Sequence, residues 1–137
     1  MAERYVGPPE LVVTDAVAFE YQPFDFAVCF LILMFLPVDS RTSFLRRLQS
    51  LTKPGGALVV VDKVQMPPGY VGTVFSRLTL QQKLAVGLKP GDILKKELSL
   101  AGYQRPVDSG IMPESAQTFF QLGEFVGWVI EKGEHHV

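Results

Sequence analysis

Cysteine is nearly absent, with Cys29 alone among 137 residues. A single cysteine excludes an internal disulfide framework and an all-cysteine metal centre, and it fits a reducing compartment, so a cytoplasmic setting is expected. Because Cys29 falls inside an apolar run, its position predicts a small buried hydrophobe and not a nucleophile. Histidine is almost as scarce. Both copies, His135 and His136, stand in the tail, which leaves no Ser-His-Asp constellation and falls short of the protein ligands a catalytic zinc needs, so no metal is expected. None of the twelve glycines forms a Gly-x-Gly, and the glycine-rich turn that lets a helix N-terminus approach a nucleotide is therefore missing. Charge of one sign is missing too. A formal net charge of −1 argues against a nucleic-acid binder that works through its overall field. The longest apolar run, Phe26–Val38, is broken at Pro37 and is too short to span a bilayer, and no signal-peptide pattern is visible, so no membrane partner is expected.

What is present is apolar mass, 47% of the chain against 20% charged, enough for one globular domain over residues 1–137 with a core of its own. The stretch from Phe24 to Val64 organises it. Phe24–Leu36 is too continuously apolar for a half-exposed strand, and Ala57–Asp62 is rich in β-branched residues; both predict strands inside a sheet covered on both faces, the mark of a parallel α/β arrangement. Between them Asp39 or Ser40 is placed to cap a helix in which Phe44, Leu45, Leu48 and Leu51 recur at helical spacing. Arg41, Arg46, Arg47 and Gln49 fall between them, predicting a buried stripe and a solvated basic face. Pro54 and Gly55-Gly56 stop the helix and redirect the chain into the second strand, completing a βαβ crossover.

Outside this unit, Met1–Tyr5 reads as the last turn of a helix ended by Gly7-Pro-Pro9. Leu11–Thr14 predicts a short strand ending at Asp15-Ala16. An acid at the carboxyl end of a parallel strand is where doubly wound sheets place ligand contacts, but the pattern alone favours a loop aspartate that satisfies nearby backbone groups. Val71–Gly87 predicts a helix with Val74, Phe75, Leu78, Leu80 and Leu84 on its apolar face, and Gly91–Leu100 another, stopped at Gly102. Residues 103–115 form a loop. Gln117–Leu122 and Phe125–Glu131, joined by Gly123-Glu124, predict a terminal hairpin.

The string Phe24-Asp25, a strand, Phe35-Leu36, Arg41, a Leu-rich helix, Lys53-Pro-Gly-Gly-Ala-Leu58 and a Val-rich strand resembles the central part of class I S-adenosylmethionine-dependent methyltransferases, from their fourth strand through their fifth. Thr52 replaces a commonly apolar residue of the turn. Within the class, Phe35-Leu36 with Arg41, Lys63, Lys83 with Gly87, Phe119-Phe120-Gln121, Phe125, Gly127 and Lys132 resemble the carboxy-S-adenosylmethionine synthase group and its methyltransferase relatives, some of them in phage and prophage gene sets. The resemblance implies a Rossmann-like α/β fold that lacks the first two strands, with parallel core strands and a C-terminal antiparallel hairpin, the complete order being 3-2-1-4-5-7-6. It implies S-adenosylmethionine as cofactor, with Asp15 and the backbone of Ala16 holding adenine and with Phe30 and Leu31 at the end of the fourth strand beside it. Phe30 stands where the synthases carry asparagine. Leu84 and Leu88 stand where they carry the arginine and tyrosine that bind an extra carboxylate, so an ordinary methyltransferase is the better match.

Three readings stay open on this footing: the C-terminal part of a truncated methyltransferase, a degenerate and inactive methyltransferase fold kept as a binding or assembly module, and a split enzyme completed by another chain. The methyl acceptor, a small molecule or RNA, is not legible. Because a missing first strand leaves Phe26–Leu33 at an apolar sheet edge, a homodimer or larger self-association is expected.

Overall fold

The computed structural model describes residues 9–66, 69–100 and 104–134. The readings made for Met1–Tyr5, Gly7-Pro8, Gly102 and the terminal histidines lie outside them. Four strands form one sheet in the order β1-β2-β4-β3, where β1 is Phe24–Phe30, β2 Thr52–Lys63, β3 Gln117–Leu122 and β4 Phe125–Glu131. β1 and β2 run parallel, with Val28 beside Val59 and Phe30 beside Val61. β4 pairs antiparallel with β2 and with β3. The architecture is thus mixed α/β, and the two hairpin strands fall where their alternating pattern predicts them.

Helix α1, Val38–Leu51, joins the parallel pair and buries Phe44, Leu45 and Leu48 against Cys29, Leu58, Val60, Trp128 and Ile130. Its N-terminus differs from expectation. Neither Asp39 nor Ser40 caps it; Pro37 occupies the cap and its carbonyl accepts the Ser40 N–H at 3.0 Å. Proline has no N–H to satisfy and a φ already suited to a helix start, so the helix begins earlier. Asp39 sits in the first turn, where it complements the helix dipole. At the other end, Lys132 Nζ donates to the Gln49 and Ser50 carbonyls at 3.2 and 3.4 Å, so the residue that follows β4 supplies the cation that α1's own last turn lacks.

The apolar run predicted as one strand to Leu36 ends at Phe30, and Leu33–Phe35 fold into a single 3-10 turn. Leu11–Thr14 is not a strand. Leu11, Val12 and Val13 are exposed coil, because four residues of strand-like composition gain nothing from extended geometry without a neighbour to pair with. The Lys53–Gly56 stretch belongs to β2 as an irregularity: Thr52 pairs with Phe24 and Ala57 with Phe26, and Gly55 takes the left-handed φ of 79° that lets the excess residues loop out.

The sheet is not covered on both faces. α1 covers one, while Phe26, Val28 and Phe30 on the other are 63%, 52% and 59% exposed. α2, Tyr70–Ala85, has no buried residue among those described, and in α3, Pro90–Leu100, Ile93 is buried while Leu94 and Leu98 are open. Both helices form, yet Leu78, Leu80 and Leu84 of α2 stay exposed, as do Leu94 and Leu98 of α3. The basic face of α1 is also corrected. Arg46 is exposed, but Arg41 is buried and Arg47 is half-buried, donating to the Val17 and Phe19 carbonyls and lying 5.2 Å from the Tyr21 ring centroid.

Candidate functional site

The carboxyl ends of β1 and β2 carry the chemistry-bearing groups. Just past β1, Leu31 donates its N–H to the Val61 carbonyl at 2.8 Å and holds a φ of 53°, the one non-glycine residue in the left-handed region among those described. That conformation costs a Cβ-bearing residue roughly 1–2 kcal/mol and persists only where surrounding contacts fix it. Asp62, which ends the apolar run of β2, supplies them. Fully buried, its carboxylate accepts N–H groups from Leu33 at 2.8 Å, Met34 at 3.3 Å and Lys63 at 3.0 Å. The first two are orphan donors at the start of the 3-10 turn, so Asp62 anchors the chain immediately after Leu31. Burial pushes its carboxyl above the ordinary aspartate range, opposed by those three N–H groups and by the Arg41 charge.

Arg41 completes the arrangement from the first turns of α1. Its guanidinium donates to the carbonyls of Leu36 (3.2 Å), Met34 (3.4 Å), Arg105 (2.9 Å) and Pro106 (3.1 Å), and the Arg105 N–H returns a bond to Met34 O at 2.9 Å. Burial draws this guanidinium below its ordinary value while Asp62 works in the other direction. Val107 N–H bonds the Lys63 carbonyl and Gln65 N–H bonds the Val107 carbonyl. The end of β1, the end of β2 and the loop after α3 are thereby stitched together around one buried carboxylate and one buried guanidinium.

Beside this latch lies a cavity of about 540 Å³, walled by Lys63, Lys83, Leu88, Asp92, Glu97 and Phe125 among others. Its charges are mixed: Lys63 pairs with Glu124 at 3.4 Å and Lys83 with Glu97 at 3.8 Å. No group of three or more metal-ligating side chains occurs among the described residues, nor is any described helix long and apolar enough to cross a membrane.

Of the residues singled out in the sequence, Asp15 is exposed, and its Oδ1 accepts the N–H groups of Val17 at 2.8 Å and Ala18 at 3.4 Å. It has the turn-forming role that the pattern alone favoured. Ala16 is half-buried against the core, its carbonyl accepting the Tyr21 hydroxyl at 2.7 Å, while burial raises the Tyr21 phenol above its usual value. Phe30 is exposed and Leu31 packs on the same core as Ala16. Cys29 is buried, its thiol pushed up to about 12 by burial first and by Asp62 second, which keeps it inert. Iodoacetamide at pH 8 should therefore leave Cys29 unmodified in the folded protein and alkylate it in denaturant, as mass spectrometry would show; rapid modification under native conditions would contradict this burial.

Sequence reasoning passed over Asp62. The available signal was an acid placed directly after an unbroken Val-rich run, a position that in a sheet is either a strand terminus facing water or a buried acceptor. From the sequence Arg41 reads as solvated, because charge on an amphipathic helix usually is.

No family model matches the chain. Among curated proteins it is similar to carboxy-S-adenosyl-L-methionine synthases: 28% identical over 99 residues, 72% of this chain and 40% of the relative, for that of Pseudomonas aeruginosa (strain UCBPP-PA14), and 24% identical over 110 residues, 80% of this chain and 42% of the relative, for that of Ectopseudomonas mendocina (strain ymp). The synthase of Pseudomonas fluorescens (strain Pf0-1) is 25% identical over 99 residues. The chain spans about two fifths of the length of these relatives, to which its homology is distant.

Proposed function

We propose that this chain is the C-terminal part of an S-adenosylmethionine-dependent methyltransferase of class I, one partial domain whose cofactor flank is formed by Asp15, Ala16, Phe30 and Leu31. The observation that carries the reading is the coincidence of two independent facts. The chain is similar over 72% of its length to enzymes whose name contains the cofactor's own skeleton, and its sheet order β1-β2-β4-β3 is the order 4-5-7-6 expected for the second half of that fold.

The residues present suit one side of such a cofactor. Asp15 uses Oδ1 within its own turn, which leaves Oδ2 to accept from an exocyclic adenine amine, and the Ala16 N–H is placed next in the chain to donate to the ring. Phe30 offers an exposed apolar surface at the end of β1, and Leu31 turns the backbone away from the strand there. When bound, the cofactor would supply an electrophilic methyl group; the protein's share of catalysis in this class is positioning. Leu84 and Leu88 provide no charge partner for an extra carboxylate, which favours methyl over carboxymethyl chemistry. On this reading Asp15, Ala16, Phe30 and Leu31 form one flank of the cofactor site, and that flank by itself is expected to bind weakly.

Amide chemical shifts followed during titration with S-adenosylhomocysteine test this. The expected result is a weak, millimolar response at residues 15–16 and 30–34, with Asp15→Ala abolishing the shifts at 15–16; in a form with both halves of the pocket, that substitution should cost about 1–3 kcal/mol of cofactor affinity. No response at those residues, or one centred on Lys63 and Lys83, would refute the assignment, and micromolar affinity would refute the view that only one flank is present.

A further inference from the structure

The turn that carries Asp15 and Ala16 fixes its own shape but not its place. Within it the Phe19 N–H reaches the Asp15 carbonyl at 3.0 Å, and Asp15 Oδ1 accepts from Val17 and Ala18; before it, Leu11–Val13 are exposed coil. Among the described residues, every hydrogen bond that ties residues 15–21 to the rest of the chain comes from one side chain. Arg47 of α1 donates from Nη1 to the Val17 carbonyl and from Nη2 to the Phe19 carbonyl, and its guanidinium stands 5.2 Å from the Tyr21 ring centroid. That ring meets Phe19 edge to face, with centroids 4.9 Å apart, and Phe44 at 6.3 Å. Its hydroxyl closes the turn on the Ala16 carbonyl at 2.7 Å. Phe44 and Arg47 are three residues apart and so share a face of α1, and the helix grips the turn with a buried ring and a charge together.

We propose that Arg47 is a positioning residue for the cofactor site, holding the Asp15–Ala16 edge in the one placement from which it can read an adenine base. The inference rests on the cofactor reading above and names the group that makes that flank selective. Oδ1 of Asp15 is spent inside the turn, and the carbonyls of Ala16, Val17 and Phe19 are spent on Tyr21 and Arg47. Asp15 Oδ2 and the Ala16 N–H are left without a hydrogen-bond partner among the described residues. An acceptor and a donor one residue apart suit the amine and ring nitrogen of adenine. Hypoxanthine inverts that pattern, setting an oxygen opposite Oδ2 and an N–H opposite the Ala16 N–H, and a site built on such bonds rejects the mismatched ligand strongly. Arginine suits the task because its planar fork serves two carbonyls at once while lying against a ring, whereas lysine brings a point charge. Misplacement of the turn by about 1 Å would forfeit the readout.

Titration of the 137-residue chain with S-adenosylhomocysteine and with S-inosylhomocysteine, followed by amide chemical shifts, tests this. Wild type should bind the adenosine compound several-fold more tightly. In Arg47→Gln that preference should vanish, residues 30–34 still reporting the binding of both, and the amides of Val17, Ala18 and Phe19 should exchange faster without ligand. A residue that only stabilised the fold would weaken both ligands alike and leave their ratio unchanged, so the ratio separates positioning from stability. Should Arg47→Gln fail to fold, Arg47→Lys keeps the charge and most of the stem, and it should lose part of the preference. Either variant retaining the full wild-type preference would overturn the role of Arg47 and leave the cofactor reading standing. A wild type with no preference for the adenosine compound would overturn both, since Asp15 and Ala16 would then not read the base.

Discussion

A Gly56→Ala protein is expected to lose about 3–5 kcal/mol of stability, a large share of the roughly 5–15 kcal/mol a domain has to lose. A Cβ on Gly56 would lie 2.3 Å from the Asp25 carbonyl oxygen and 2.9 Å from that of Lys53, and both are main-chain atoms that no rotamer change can move aside. Relief requires β1 and β2 to part where they enter the sheet. It also strains the antiparallel contact on the other side, where Lys132 N–H bonds Gly56 O and Gly55 N–H bonds Lys132 O, each at 2.9 Å. Overpacking alone costs about 1–3 kcal/mol and occasionally more, and each lost hydrogen bond adds about 1. Gly127→Ala is the informative comparison. Its nearest atoms, 2.4–2.7 Å away, belong to the rings of Phe120 and Phe119, exposed side chains that can swing outward, so its loss should be clearly smaller. Urea unfolding of both variants measures the difference. A Gly56→Ala protein within 1 kcal/mol of wild type would mean that the strands do not approach as closely as described.

Asp62→Ala should be nearly as damaging, through a different cause. Removing the carboxylate strands the Leu33 and Met34 N–H groups in a dry interior and the Lys63 N–H in a partly buried one, at about 1–3 kcal/mol for each left buried without a partner, and a fall in the unfolding midpoint follows. The loss of Asp62 also removes what holds Leu31 at positive φ, so Leu31→Gly, which gives up that side chain's packing on the core but relieves the backbone cost, should be better tolerated beside Asp62→Ala than in wild type. The pH dependence has a definite sign. Because the folded carboxyl titrates above its unfolded value, the native state holds the proton more tightly between the two. This group's contribution is fully present below the ordinary aspartate range of about 4 and is lost as pH rises through the raised folded value. Wild type should therefore show a component of stability that declines over that window, and Asp62→Asn, which cannot titrate, should lack it. An unchanged pH profile in Asp62→Asn would show that some other group is responsible.

Local features were legible wherever local physics decides the outcome. The hairpin is a case in point: Gly123 accepts a left-handed φ of 59° between two alternating runs, and nothing distant competes with that turn. α1 was legible for the same reason through Phe44, Leu45 and Leu48. The end of β1 was not, since Leu31–Leu36 is as apolar as the strand before it and only Asp62, 29 residues away from Leu33, makes a turn there better than another strand pair. Arg41 shows the converse limit: its sequence neighbours describe a surface helix position, and its burial follows from four carbonyls supplied by two loops. Leu11–Thr14 has a strand's composition and no partner. Around the carboxyl ends of β1 and β2, the residue types were visible in the sequence, while the burial of Asp62 and Arg41 was not.

The Arg41 latch also closes a loop. It ties α1 to Arg105, 64 residues on, and everything between returns to the same point. Ring closure over that span costs on the order of 4 kcal/mol of chain entropy, yet doubling the length of the enclosed segment would add only about 0.6. The α2–α3 excursion is consequently cheap to lengthen, shorten or replace, while the latch and the sheet beneath it are not. Descendants of such a scaffold can remodel the roof over the cavity, and with it whatever enters there, without renegotiating how the chain folds.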